Sequence, residues 1–193
     1  VNRYIVAITG ASGVIYGVSL IKTLLKRGDE IHLVVSDPAC LVMQQELGWT
    51  LDAPPQISLR HYFSADNLFL YNNADIAAGI ASGSFITDGM IIIPCSMSTL
   101  ASVAMGLSGN LIERAADVML KEHRPLVIVP RETPLSSIHL RNMLTLSDMG
   151  VAVVPAMPAF YYDPESVEEM VAFVVGKVLD VMKIPHEEFR RYK

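Results

Sequence analysis

The sequence is poor in the residues that usually announce a metal centre, a redox pair or a membrane. Of 193 residues only two are cysteine and one is tryptophan. Cys40 and Cys95 lack metal-ligand spacing and stand too far apart in the chain to suggest a redox pair. The five histidines, His32, His61, His123, His139 and His186, are scattered without ligand spacing, so no metal is expected. No apolar run reaches membrane-spanning length, which argues against a spanning helix. Basic residues are the minority: 15 Lys and Arg against 20 Asp and Glu leave a net charge of −5. That balance disfavours a general nucleic-acid surface, so any anion site has to be built locally. There is no charge run, low-complexity tract, internal repeat or linker, and one domain over residues 1–193 is expected. With two cysteines and no signal-peptide pattern, a reducing cytoplasm is the expected compartment.

What the chain does have is strands alternating with helices. "RYIVAIT" (3–9) reads as a buried strand, followed by a helix with Val14, Val18, Ile21 and Leu25 on one face. "EIHLVVS" (30–36) is a second strand. Asp37-Pro38 then reads as an N-cap with proline at the first helical position, and that helix ends at Gly48. Residues 49–87, with turn-rich patches such as "YNNAD" and "ASGSF", are the least regular part and read as an irregular insertion. "GMIIIP" (89–94), "PLVIVP" (125–130) and "VAVVPA" (151–156) are further strands, separated by helices at "SMSTLASVAMG" (96–106), about 110–122 and 134–148. Asp163-Pro164 reads as the cap of a long final helix, with Glu165, Glu168 and Glu169 at its positive end, and a tail of about 184–193 follows. Apolar strands alternating with helices predict a three-layer α/β fold, a parallel sheet with helices on both faces.

In such sheets ligands bind beyond the carboxyl ends of the strands. There the sequence places Gly10, Ala11, Ser12 and Gly13, then Ser36, then Cys95 through Thr99, then Arg131 and Glu132, then Pro158, Phe160 and Tyr161. Glycines, hydroxyls, one arginine and aromatics on one rim, with helix N-termini offering free amides, suit a phosphate-bearing cofactor. A dinucleotide fingerprint is incomplete. Ser12 stands where G-x-G-x-x-G needs its second glycine, and Tyr16 stands where the short-chain variant needs one. Asp37, twenty positions after Gly17, is better read as a helix cap than as a ribose ligand. A mononucleotide with one terminal phosphate fits better.

Two further sets of charged residues have both a plain and a functional reading. Arg114 and Lys121 lie seven apart on one helix and share a face, as ion-paired surface residues or as an anion site if Arg131 and Lys177 come near. Glu132 follows Arg131 at a strand end, and Glu46 closes the helix "CLVMQQE"; either is a solvated surface carboxylate or a proton-handling group. Tyr161, in "MPAFYYDP", is a packing residue or a ligand contact.

The segments "TGASG", "VMQQE", "SGSF", "IPCSMSTL", "NLIERAADVMLKE", "RPLVIVPRETPLSSIHLRNM" and "MPAFY" resemble the UbiX/Pad family of flavin prenyltransferases nearly end to end, most weakly at 49–75 and in the last few residues. The resemblance implies a flavodoxin-like subunit that joins a dimethylallyl group, from dimethylallyl phosphate, to reduced FMN. It further implies that the prenylated FMN serves a UbiD-type decarboxylase, and that subunits assemble as a homododecamer with active sites at interfaces. By the same resemblance, Gly10, Ala11, Ser12, Ser36, Ser96, Met97, Ser98, Thr99 and Arg131 hold FMN. Arg114, Lys121, Tyr161 and Lys177 hold the prenyl phosphate, and Ser12, Glu46 and Glu132 handle protons. The family often carries a tryptophan after an arginine near its end, where this chain has Arg191-Tyr192. Competing readings are an FMN carrier without chemistry, a flavin-dependent cysteine decarboxylase, whose histidine and asparagine motif have no counterpart here, and an NAD(P)-binding oxidoreductase.

Overall fold

The computed structural model describes residues 1–52 and 55–191. Its elements run β1 (Arg3–Ile8), α1 (Val14–Lys26), β2 (Glu30–Val35), α2 (Asp37–Leu47), α3 (Pro55–Tyr62), β3 (Leu68–Asn72), β4 (Gly89–Cys95), α4 (Met97–Ala104), α5 (Leu111–Lys121), β5 (Leu126–Pro130), α6 (Ser137–Asp148), β6 (Ala152–Val153) and α7 (Val167–Val181). The six strands form one sheet in the order β3-β2-β1-β4-β5-β6, every neighbouring pair parallel. Without the edge strand β3 this is the flavodoxin-like order, and the strand order reverses between β1 and β4.

Strand alternation divides the core. Tyr4, Val6, Ile8, Leu33, Ile91, Ile93 and Val129 point to one face, where α1, α2, α3 and α7 cover them. Ile5, Ala7, Met90, Ile92 and Ile128 point to the other, under α4, α5 and α6. Buried on both faces, β1, β4 and β5 carry almost no polar side chain, as a parallel sheet requires. Gly17 sets how closely α1 approaches: a Cβ there would lie 2.4 Å from the Ile93 carbonyl oxygen and 2.9 Å from Ile8.

Three local expectations change. Residues 49–87 contain α3 and β3, so the sheet gains an edge strand where the sequence reads as irregular. β3 is short, mostly half-exposed and bracketed by turn-forming asparagines, and its pairing with β2 supplies the order that local pattern lacks. α3 is tied down by Trp49, whose ring stacks on Tyr62 at 4.0 Å. The cap of α2 is Ser36, whose hydroxyl accepts from Ala39 N at 3.3 Å, with Asp37 the first helical residue. The cap of α7 is Ser166 rather than Asp163, which takes a left-handed φ of 57° in the preceding turn. The serine caps win because each sits in extended backbone three residues before the amide it accepts. Of the tail, Tyr192 lies outside the described residues.

Candidate functional site

The sheet's crevice lies between the loops after β1 and β4, and a buried hydroxyl joins them. Thr9, only 1% exposed, donates through Oγ1 to the Pro94 carbonyl at 2.9 Å and accepts there from Ser96 N at 2.7 Å. The Thr9 amide also donates to the Pro94 carbonyl. Three bonds therefore fix the glycine loop against the start of α4. Thr9 was not among the residues singled out from sequence; its signal is a lone hydroxyl ending an apolar run.

The glycine loop is shaped by close approach and by backbone sign. Gly10 lies against α2, where a Cβ would meet Pro38 Cβ at 2.4 Å. Gly13 has a φ of 96° and precedes α1 with no side-chain cap of its own. The cap comes from 33 residues away. Glu46, the penultimate residue of α2, accepts from Gly13 N at 2.9 Å and from Val14 N at 3.2 Å through Oε2. The positive end of α1 thus holds a carboxylate, which orients Glu46 at the rim.

The other helix start at the crevice is α4. Ser96 caps it, accepting from Thr99 N at 3.3 Å and donating to Thr99 Oγ1 at 3.1 Å. The first-turn amides of Met97 and Ser98 have no partner within a helix that begins there. Arg131 enters beside this turn, its amide donating to the Cys95 carbonyl at 3.3 Å. Its side chain is exposed, and among the described residues no carboxylate lies within ion-pair distance of it. Glu132 is exposed next to it and accepts from Thr133 N at 3.1 Å. Ser12 and Ser98 are exposed at the rim and Ser36 is half-buried. Tyr16, in the first turn of α1, connects the parts. Its phenol is pushed up chiefly by burial, with Arg131 opposing and Glu46 reinforcing the shift, so both charges act on it. The arrangement is one uncompensated cation, a free helix start, several hydroxyls and two carboxylates. This donor set fits a mononucleotide carrying one phosphate and a polar chain.

The four residues expected to hold the prenyl phosphate do not converge within one chain. Arg114 and Lys121 lie on α5 and turn toward the loop before β4. Arg114 donates to the Ala81 carbonyl at 3.1 Å and pairs with Asp117 at 2.7 Å, while Lys121 pairs with Glu122. α5 starts at the carboxyl end of β3, where Asn73 receives Leu111 N and Ile112 N. Lys121 is thus about 15 Å down the helix from the rim, at 1.5 Å per residue. Tyr161 and Lys177 lie on the opposite face of the sheet with α7. The Tyr161 ring packs edge-on to Phe173 at 6.1 Å, and Lys177, one turn beyond Phe173, sits 3.8 Å from Asp180. A cleft of about 390 Å³ lined by Met119, Arg124, Pro125, Met149 and Met182 opens at the amino ends of β5 and β6, away from the rim, and shares none of its residues.

Among the described residues no helix is long and apolar enough to cross a membrane, and no group of three or more histidine, cysteine or acidic side chains is placed to hold a metal. The thiols of Cys40 and Cys95 are unbridged, and burial raises both above the usual thiol range.

Residues 1–179 match the family model described as Flavoprotein. The flavin prenyltransferase UbiX of Halalkalibacterium halodurans is 50% identical over 190 residues, covering 98% of this chain and 92% of the relative. Among solved structures, the dodecameric FMN-dependent UbiX-like decarboxylase from Escherichia coli O157:H7 aligns with a TM-score of 0.89 at 49% identity, covering 99% of each chain. AnUbiX (PadA1), solved in complex with FMN and dimethylallyl pyrophosphate, aligns with a TM-score of 0.90 at 43% identity over 100% of this chain and 97% of its own. A rim built for a single phosphate, on a flavodoxin-like sheet that matches these relatives over nearly its whole length, places the chain in the flavoprotein family and, within it, among the UbiX-type flavin prenyltransferases.

Proposed function

We propose that the protein is a metal-independent flavin prenyltransferase that transfers the dimethylallyl group of dimethylallyl phosphate to reduced FMN. The product, prenylated FMN, is used by a UbiD-type decarboxylase. The observation that carries this reading is the rim itself, where Arg131, the α4 start and the carboxylates of Glu46 and Glu132 stand at the same strand ends.

Gly10, Ala11, Ser12, Ser36, Ser96, Met97, Ser98, Thr99 and Arg131 hold FMN. Its phosphate sits at the α4 start beside Arg131, because the α1 start already carries Glu46. FMN is the acceptor: the allylic carbon–oxygen bond of the donor breaks as its carbon bonds the central-ring nitrogen, which gives up its proton. The remaining carbon–carbon double bond is protonated at one end and bonds the adjacent benzenoid carbon at the other, and that ring carbon then loses its proton, leaving one net proton to the released phosphate. Side-chain cations stabilise the departing phosphate. A carboxylate takes the ring carbon's proton, and Glu132, exposed beside Arg131, and Glu46, fixed by two amides, stand where one is needed. Ser12, in the loop between them, relays it.

The donor's phosphate is bound by Arg114, Lys121, Tyr161 and Lys177. Because α5 and α7 cover opposite faces of one sheet, these residues act together only when a neighbouring subunit supplies one of the pairs. Assembly as a dodecamer meets that need. The exposed apolar side chains Leu135, Ile138, Leu140, Leu144 and Met149 along α6 form a surface of the kind that subunits cover. Two unbridged thiols fit a reducing cytoplasm. The cysteine-decarboxylase alternative lacks a histidine at the crevice: none of the five lies in the loops after β1, β2, β4 or β5.

The test is the mass of the flavin recovered after anaerobic incubation of the protein with reduced FMN and dimethylallyl phosphate. A gain of one dimethylallyl unit, with activation of a UbiD-type decarboxylase by the product, is expected. An unchanged mass with both the mono- and the diphosphate donor would leave an FMN carrier in its place.

A further inference from the structure

The chain after α7 folds back instead of trailing away. Arg27 donates to the Pro185 carbonyl at 2.6 Å and Thr23 donates to Glu188 at 3.0 Å, which tie the segment to α1. On α7 the tail occupies a notch at Gly176: a Cβ there would lie 2.4 Å from Phe189 and 2.8 Å from His186. Phe189 packs on Phe173 at 5.0 Å, and Phe173 stacks on Tyr162 at 5.3 Å and meets Tyr161 edge-on. One aromatic series therefore runs from the tail to Tyr161.

The polar side of this contact centres on Asp180. His186, its side chain only 2% exposed, accepts from Glu188 N through Nδ1 at 3.1 Å, so Nε2 carries the hydrogen and donates to Asp180 Oδ1 at 3.0 Å. Arg191 donates to both carboxylate oxygens, at 2.7 Å to Oδ1 and 3.3 Å to Oδ2. Its guanidinium also lies 5.5 Å from the Phe189 ring centre. The Asp180 carboxyl is held below its ordinary range, first by Arg191 and then by His186. Lys177 is the remaining neighbour, and at 3.8 Å it is the most distant. A carboxylate one turn along a helix from a lysine is its natural partner. Here the tail's arginine and histidine occupy that carboxylate first.

We propose that residues 184–191 form a strap whose Arg191 and His186 engage the Asp180 carboxylate and keep its pairing with Lys177 loose, at 3.8 Å, so that the lysine remains available to an incoming phosphate. Arg191, His186 and Asp180 are positioning residues: they act through Lys177. A strap that lets go of Asp180 hands Lys177 an internal anion that competes with the donor. Phe189, in the Gly176 notch, keeps the strap seated and packs the same Phe173 ring that supports Tyr161. The inference rests on the reading that Lys177 binds the donor's phosphate.

The experiment measures kcat, KM for dimethylallyl phosphate and the inhibition constant of inorganic phosphate in the assembled enzyme with saturating reduced FMN. Arg191→Gln is expected to raise both KM and the inhibition constant about fivefold, the size of one half-exposed ion pair, with kcat and FMN affinity unchanged. Asp180→Asn combined with Arg191→Gln removes the competing anion and returns both constants to within about twofold of wild type. Rescue by a second substitution is something a merely structural tail would not produce. If Arg191→Gln leaves both constants unchanged, or if the double variant is as impaired as the single, the strap is wrong. Lys177→Gln separates the two levels. If it raises both constants while Arg191→Gln does not, only the strap fails. If Lys177→Gln changes neither, the donor-phosphate reading fails as well.

Discussion

The crevice between β1 and β4 and the surface cations of α5 and α7 are both charged, yet they are built in opposite ways. At the crevice every part is held by the chain itself. Thr9 joins the two loops, Glu46 caps α1 from a distant helix, and Ser96 caps α4 beside Arg131. On α5 and α7 the cations face separate surfaces, each beside a carboxylate: Arg114 pairs with Asp117 and Lys121 with Glu122, while Lys177 lies more loosely, 3.8 Å from an Asp180 that Arg191 and His186 hold more closely. The contrast teaches where the subunit ends as a functional unit. The residues proposed for the flavin meet at one rim of the chain, whereas those proposed for the donor phosphate lie on two faces that one chain cannot join, because a sheet stands between them.

The largest expected effect tests the crevice. Glu132→Gln keeps size and hydrogen bonding while removing the proton acceptor, so it should retain FMN binding by titration and lose on the order of 10²–10⁴-fold in turnover. Equal losses of FMN affinity and turnover would make Glu132 a flavin ligand instead. Next comes the division between chains. Arg114→Gln should lower turnover by about tenfold to a hundredfold, as loss of one transition-state cation contact does. Co-assembling Arg114→Gln chains with Glu132→Gln chains should restore measurable prenylation, since some sites then receive an intact half from each. Mixed oligomers with no more activity than either parent would mean that each chain carries its own donor site.

A smaller effect concerns the scaffold. Gly17→Ala forces a methyl against the Ile93 carbonyl and Ile8, and overpacking of this kind costs about 1–3 kcal/mol. The melting temperature should fall, and FMN affinity with it, because α1 carries the glycine loop. An unchanged melting temperature would show that α1 moves off the sheet without cost. The smallest effect is at the join between the loops. Thr9→Val removes the hydroxyl that Ser96 N and the Pro94 carbonyl use, and two lost bonds in a buried place amount to about 1–3 kcal/mol. FMN affinity should drop by about tenfold or less with kcat preserved at saturation. A drop in kcat alone would place Thr9 in the chemistry.

Much of this was legible in the sequence because it depends on local pattern. Unbroken apolar runs such as "GMIIIP" at 89–94, ended by small polar residues, give buried parallel strands, and ligand position follows from strand direction alone. Gly10, Ser12, Ser96 and Arg131 were placed beyond the strand ends that way. The spans of α5 and α6 were also read to within about three residues. Where two local signals competed, the sequence misled. Asp-Pro reads as a cap at 37 and at 163, but a serine in extended backbone capped each helix.

The sequence by itself determined the α/β alternation, the strand-end rim and the scarcity of metal-binding side chains, since each follows from residue type and period. Only the tertiary structure decided that β3 adds an edge to the sheet, because a half-exposed strand takes its identity from the neighbour it pairs with. It also decided that Glu46 reaches the start of α1, that Thr9 joins the two loops, and that Arg114 and Lys177 lie on opposite faces. These are contacts between residues 30 to 90 positions apart or separations across a sheet, and the free energy that fixes them comes from packing, which no short stretch of sequence contains.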